Sequence, residues 1–139
     1  MIILDTNVLS ALMRPSANRI VVTWLDGQAR LSIWTTAISV MEIHFGLTTM
    51  PDGRRRNQRL AEFQRVMEDD LQHRVLPFDA AAAEQAGILI GARQLAGRPG
   101  DLRDSMIAGI ALAQRAMVAT RNVRHFDDVD LKVVDPWLG

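Results

Sequence analysis

The amino-acid sequence predicts an α/β fold: a three-layer α/β/α sandwich around a mostly parallel sheet of four to five strands. Three observations carry this expectation. Short runs such as Met1-Ile2-Ile3-Leu4 are apolar throughout, as strands buried on both faces are. Between such runs the apolar residues recur at three- and four-residue steps, the period of a helix with one buried face. Strands that alternate with helices need crossover connections, and these favour parallel pairing.

The first strand, Met1 to Leu4, stops at Asp5-Thr6-Asn7, and Val8, Leu9, Ala11 and Leu12 then resume at helical spacing. Ile20, Val21, Trp24 and Leu25 mark a second helix. Leu31 to Thr35 reads as the next strand, followed by a helix that carries Glu42 near its start. Leu60, Phe63, Met67 and Leu71 describe one apolar stripe on an otherwise charged helix. After a strand at Arg74 to Phe78, Asp79 is a good N-cap for a helix that runs through the alanines and Ile88-Leu89-Ile90 to Gly97. Arg98-Pro99-Gly100 breaks that helix. Another spans Asp101 to Arg115, with Met106, Ile107, Ile110 and Ala111 on its buried face. Strands at Met117 to Thr120 and Lys132 to Val134 complete the sheet, and Asp135-Pro136-Trp137 is expected to pin the last of them.

With 139 residues and 48% of them apolar, a single domain over 1–139 is the expectation. There is no repeat, low-complexity tract or linker to divide the chain. No window approaches the roughly 20 apolar residues of a membrane span, and Asp5 interrupts the place where a secretory signal keeps its apolar run. A soluble, cytoplasmic protein with no membrane partner is expected. The absence of cysteine excludes disulfides, thiolate metal sites and a cysteine nucleophile. Sixteen basic residues balance sixteen acidic ones, so the net field offers nucleic acid no general attraction. Lys132 is the one lysine, and arginines gather at Arg54, Arg55, Arg56 and Arg59. That cluster reads either as a phosphate-contacting surface or as a solvated helix start.

Four polar residues, Asp5, Glu42, Asp104 and Asn122, stand where strands stop or helices begin. Open α/β sheets bind ligands at the carboxyl edge of their strands, so Asp5, Glu42 and Asn122 are expected to converge, with Asp104 placed less firmly in the first turn of its helix. Each acid also has a local use. Asp5 can cap the helix after it, Ser39-Val40-Met41-Glu42 has capping-box spacing, and Asp101 with Asp104 can cap theirs. Taken singly, capping explains each of them. Taken together, converging carboxylates repel unless a cation neutralises them, which implies Mg²⁺ or Mn²⁺. Such an ion activates water and stabilises charge on a phosphoryl group, a hydrolytic arrangement. Thr6 and Thr120, at two of the same strand ends, can bond the carboxylates or the attacking water, or serve as plain turn residues. His44, His73 and His125 show no metal-ligand spacing; His44 is expected to be packed or partly exposed.

Several motifs resemble one family. Met1-Ile-Ile-Leu-Asp-Thr-Asn-Val-Leu-Ser10, Glu42-Ile-His-Phe-Gly46, Asp104-Ser-Met-Ile-Ala-Gly-Ile-Ala-Leu-Ala113, Ala119-Thr-Arg-Asn122 with His125-Phe126, and Asp135-Pro-Trp137 together resemble PIN-domain proteins. The likeness is to VapC-type toxins of VapBC toxin–antitoxin pairs, including the FitB-like subgroup, and covers nearly the whole chain. The resemblance implies a PIN-like fold and an endoribonuclease dependent on Mg²⁺ or Mn²⁺. It implies RNA as substrate, a homodimer, a small VapB-like antitoxin that fills the cleft, and DNA contact only through that antitoxin. By motif, Asp5, Glu42 and Asp104 correspond to the acidic, metal-holding positions. Asn122 corresponds to a fourth position, where a neutral amide orients water or substrate rather than binding metal strongly. Asp101 reads as a helix cap. A PIN nuclease outside any toxin pair, a non-catalytic co-repressor partner of an antitoxin and a receiver-like Mg²⁺-binding module are the alternatives.

Overall fold

In the computed structural model, which describes residues 1–139, the first strand, β1 (Ile2–Leu4), is buried at every position. Side chains alternate across a strand, so Ile2 and Leu4 enter one core with Val8, Leu9, Val21 and Phe63, while Ile3 enters another with Ile107, Ile110 and Phe126. Two cores on opposite faces of one sheet are the three-layer sandwich the sequence predicts. The helices are α1 (Thr6–Leu12), α2 (Arg19–Asp26), α3 (Ala37–Thr49), α4 (Arg54–Arg65), α5 (Ala80–Leu95) and α6 (Leu102–Gln114). The remaining strands are β2 (Ile33–Thr36), β3 (Val75–Leu76), β4 (Met117–Ala119) and β5 (Val133–Val134).

The sheet is wholly parallel, in the order β3-β2-β1-β4-β5. Ile2 stands between Ile33 and Met117, and Ile3 between Trp34 and Val118. The chain leaves β1 to build one side through β2 and β3, then crosses to the other for β4. The strand order therefore reverses beside β1, and the crevice at the carboxyl ends of β1 and β4 is where such sheets accept ligands.

The tightest helix contact is between α5 and α6. A Cβ built at Gly109 would lie 2.5 Å from the Ala82 carbonyl oxygen and 2.7 Å from the Ala86 Cβ, so only glycine admits this approach. In the tail, Asp135 accepts from the Trp137 amide at 2.9 Å, and Trp137 packs against the first core.

Three local expectations are corrected. The stripe Leu60, Phe63, Met67, Leu71 is not one regular helix, because a π-helical turn at Val66–Asp70 follows α4; Val66 turns fully inward and Leu60 is left 37% exposed. Ile20, expected on a buried face, is 58% exposed, and Val21 carries that burial alone in its turn. Ser39 and Glu42 form no capping box. Thr36 is the N-cap of α3, its hydroxyl accepting from the Ser39 amide at 3.1 Å, which leaves Ser39 and Glu42 free for other partners. The caps expected of Asp79 and Asp101 are present.

Candidate active site

Asp5 ends β1 and is 4% exposed. One carboxylate oxygen accepts from the Thr6 amide at 2.8 Å, so the residue does cap α1. The other accepts from the Thr120 hydroxyl at 2.7 Å and from the Asn7 amide at 3.4 Å. Thr120, at the end of β4, accepts in turn from Asn7 Nδ2 at 3.3 Å and from the Asn122 backbone N–H at 3.0 Å. Asn7 Oδ1 accepts from the Arg121 amide at 3.2 Å. This network sews the ends of β1 and β4 together. Burial, the largest influence, pushes the Asp5 carboxyl above its ordinary range; the Thr120 and Thr6 donors offset part of the rise, and the charge of Asp104 adds to it.

Glu42 sits in the second turn of α3. Its Oε1 lies 2.9 Å from the Thr6 hydroxyl, which also lies 2.9 Å from the Ser39 hydroxyl, itself 3.4 Å from that of Thr36. A hydroxyl has one proton. An ionised carboxylate can only accept, so Thr6 donates to Glu42, Ser39 donates to Thr6 and Thr36 donates to Ser39. The polarity of the whole chain is thereby fixed. The other oxygen, Oε2, faces Arg103 at 3.6 Å.

Asp104 opens α6, where Asp101 provides the cap by accepting from the Arg103 and Asp104 amides. The Asp104 side chain is thus free of capping, and its Oδ2 lies 2.7 Å from His125 Nδ1. Burial raises the Asp104 carboxyl, with Asp101 and Glu42 adding to the rise and His125 opposing it. Charge thus links the acids in sequence, Asp104 raising Asp5 and Glu42 raising Asp104. No three Asp, Glu or His side chains are gathered tightly enough to enclose an ion among themselves. Asn122 stands apart: its backbone N–H serves Thr120, but its side chain is exposed and makes no hydrogen bond within the protein.

Sequence reasoning passed over Asn7, Ser39, Arg103 and His125 as members of this site. Asn7 lies within the Asp5-Thr6-Asn7 run and His125 beside Phe126, but neither position has a spacing that foretells its partner. His44 is exposed and meets Phe63 edge-on at 5.4 Å. Two cavities flank the acids. One, of 630 Å³, is lined by Glu42, the arginines Arg14, Arg59, Arg103 and Arg121, and an apolar floor that includes Leu47 and Met50. The other, of 320 Å³, is lined by Asp104, His125, Arg93 and other polar residues, with no hydrophobic side chain. Of the arginine cluster, Arg56 pairs with Asp52 and Arg59 with Glu62 at 2.9 Å, while Arg54 and Arg55 are exposed.

A family model described as the PIN domain matches residues 2–132. The chain belongs to the PIN-domain family. A relative, the "VapC ribonuclease Y4jK" of Sinorhizobium fredii, is 38% identical over 141 residues, covering 99% of this chain and 98% of that protein. "Toxin FitB" of Neisseria gonorrhoeae is 31% identical over 137 residues, covering 99% of each. The structure of FitAB bound to an IR36 DNA fragment contains a chain that superposes with a TM-score of 0.86 at 31% identity, over 99% of this chain and 96% of that one. No helix is long and apolar enough to cross a membrane.

Proposed function

We propose that this PIN-domain chain is the toxin of a toxin–antitoxin pair and acts as a Mg²⁺- or Mn²⁺-dependent endoribonuclease. The observation that carries the reading is Asp5: a buried carboxylate at the strand switch point, its charge costly and reinforced by Asp104. A cation relieves that cost. The names of the relatives, a ribonuclease and a toxin, supply the substrate class and the biological setting.

The donor set suits such an ion. Hard divalent cations take oxygen ligands, and Mg²⁺ needs only one or two carboxylates, its other positions filled by water and substrate oxygens. Asp5 and Asp104 would hold the ion, with Glu42 beside it; His125 would have to leave Asp104 Oδ2, which it now contacts. When bound, the ion supplies Lewis-acid stabilisation of charge on the phosphoryl and leaving oxygens.

The chain's own residues do the rest. Thr6 occupies Glu42 Oε1 and leaves Oε2 as the oxygen able to orient the attacking water and take its proton. The water oxygen forms the new bond to phosphorus as the bond to the leaving nucleoside oxygen breaks. Thr120 and Asn7 fix the Asp5 carboxylate in one orientation. Asn122, exposed and unbonded, orients substrate or water. Arg103 offers positive charge to a phosphate. As partners we propose a VapB-like antitoxin that covers the cleft, a second copy of this chain, and DNA only through the antitoxin.

The test is cleavage of RNA by purified protein with Mg²⁺, with Mn²⁺ and with chelator, alongside sequencing of RNA ends after brief induction of native and Asp5→Asn chains. Metal-dependent cleavage that Asp5→Asn and Asp104→Asn each abolish is expected. Unchanged cleavage by either variant would remove the assigned roles, and native protein that cuts no RNA would remove the nuclease.

A further inference from the structure

Arg93 belongs to α5, which contributes no acid to the site, yet its side chain is 6% exposed in the second core layer. A buried guanidinium is tolerated only when its donors are satisfied. Nε donates to Asp128 Oδ2 at 2.8 Å and Nη2 to Asp128 Oδ1 at 2.7 Å, a two-pronged carboxylate pair. Nη2 also donates to the His125 carbonyl oxygen at 2.7 Å, and Nη1 donates to the Ser105 hydroxyl at 2.9 Å. That hydroxyl passes its own proton to the Asp101 carbonyl oxygen at 3.1 Å.

Two of these partners bracket one contact. Ser105 follows Asp104 in the chain, and His125 is the side chain that meets Asp104 at 2.7 Å. The connection from α5 to α6 closes directly over the guanidinium: a Cβ at Gly100 would stand 2.8 Å from Arg93 Nη1. We infer that Arg93 is a positioning residue of the active site, setting the separation of Asp104 and His125 by gripping the backbone of one and the neighbour of the other. Its planar fork is essential to this, because three acceptors in three directions are reached by three nitrogens of one rigid plane. A lysine keeps the charge and the stem but offers a single nitrogen.

The consequence for rate rests on the nuclease reading; the consequence for geometry does not. Uniformly ¹⁵N-labelled full-length native, Arg93→Lys and Asp128→Asn proteins are compared by long-range ¹H–¹⁵N spectra of the histidine rings, with His44 and His73 as internal references, and by RNA cleavage in Mg²⁺. In folded Arg93→Lys the His125 ring nitrogens are expected to move while His44 and His73 stay. kcat is expected to fall about 10- to 100-fold, the usual effect of loosening a group behind a reacting residue, with KM within about twofold. His125 resonances that do not move overturn the inference, as do moved resonances with kcat unchanged. Should Arg93→Lys fail to fold, Asp128→Asn is held to the same two criteria, since it removes one prong of the grip and leaves the arginine in place. If the native chain cuts no RNA, the nuclease reading fails and the histidine spectra alone decide.

Discussion

Replacing Asp5 with asparagine separates the electrostatic cost of the site from its capacity for a cation. In the unfolded chain the carboxyl titrates near its ordinary 3.8, and in the folded protein burial raises it. Between those two values the folded state binds the extra proton, so stability falls as pH rises through the window, and the full penalty is present above the native value. Each unit of separation is worth ~1.4 kcal/mol. The substituted side chain carries no charge and removes this slope, although its amide cannot accept from both Thr6 and Thr120, a loss of about 1 kcal/mol. Near neutral pH the two changes oppose one another, so the melting temperature alone discriminates poorly. The response to Mg²⁺ discriminates well. A ligand at 100 times its dissociation constant adds ~2.7 kcal/mol to a native state that binds it, roughly 10 °C for a chain of this length. Calorimetric melts from about pH 4 upward to neutrality, with and without Mg²⁺, are expected to show that gain in the native protein, shrinking as pH falls toward the ordinary carboxyl range and protons compete for Asp5, and little of it in Asp5→Asn. A variant whose pH slope and Mg²⁺ response both match the native protein would refute the reasoning.

Three further substitutions probe the scaffold around the acids. Thr120→Val keeps shape but deprives Asp5 of its hydroxyl donor; the Asp5 carboxyl rises further, so the acid limb of the cleavage–pH profile is expected to move to higher pH, at a cost of about 1–3 kcal/mol in urea melts. Thr6→Val releases Glu42 Oε1 from its donor chain and is expected to lower kcat about tenfold or more with KM little changed, as steady-state cleavage assays would read. Gly109→Ala forces α5 and α6 apart, since its methyl would meet the Ala82 carbonyl at 2.5 Å; a loss of about 1–3 kcal/mol in a urea melt is expected, and an unchanged midpoint would contradict the close approach.

The frame of this protein was legible because its signals are local. An unbroken apolar run before Asp5 reads as a central strand, and Asp79 before a run of alanines reads as a helix start. Errors arose where tertiary demands chose among local options. Thr35, Thr36 and Ser39 are all able to cap α3, and β2 settles the matter by extending to Thr36 to pair with Leu76. The π-turn at Val66–Asp70 adds a residue to its turn, which shifts the helical period by an amount that a 3.6-residue pattern cannot register. The acids stand out in the sequence by their place at strand ends and helix starts, but their partners do not. Thr120 is 115 residues from Asp5, and Asp128 is 35 from Arg93; no periodicity links positions so remote.

The acids are held from different layers. Glu42 is tied through Thr6, Ser39 and Thr36 to α1 and the start of α3, helices that contribute Val8, Leu9, Ile43 and Leu47 to the first core. Asp104 is tied through Ser105 and His125 to Arg93 on α5, in the second. Asp5 lies between them at the end of the central strand, which sends side chains into both cores. Their separation is therefore a property of how the two helical layers seat on the sheet, and no single loop can set it. Close packing transmits small displacements, so a change in the α5–α6 contact at Gly109 would be felt at Asp104. This explains why a site that makes folding harder, through a buried carboxylate at Asp5 whose cost Asp104 increases, is surrounded by directional hydrogen bonds from both sides: they hold like charges at a spacing that repulsion alone would widen.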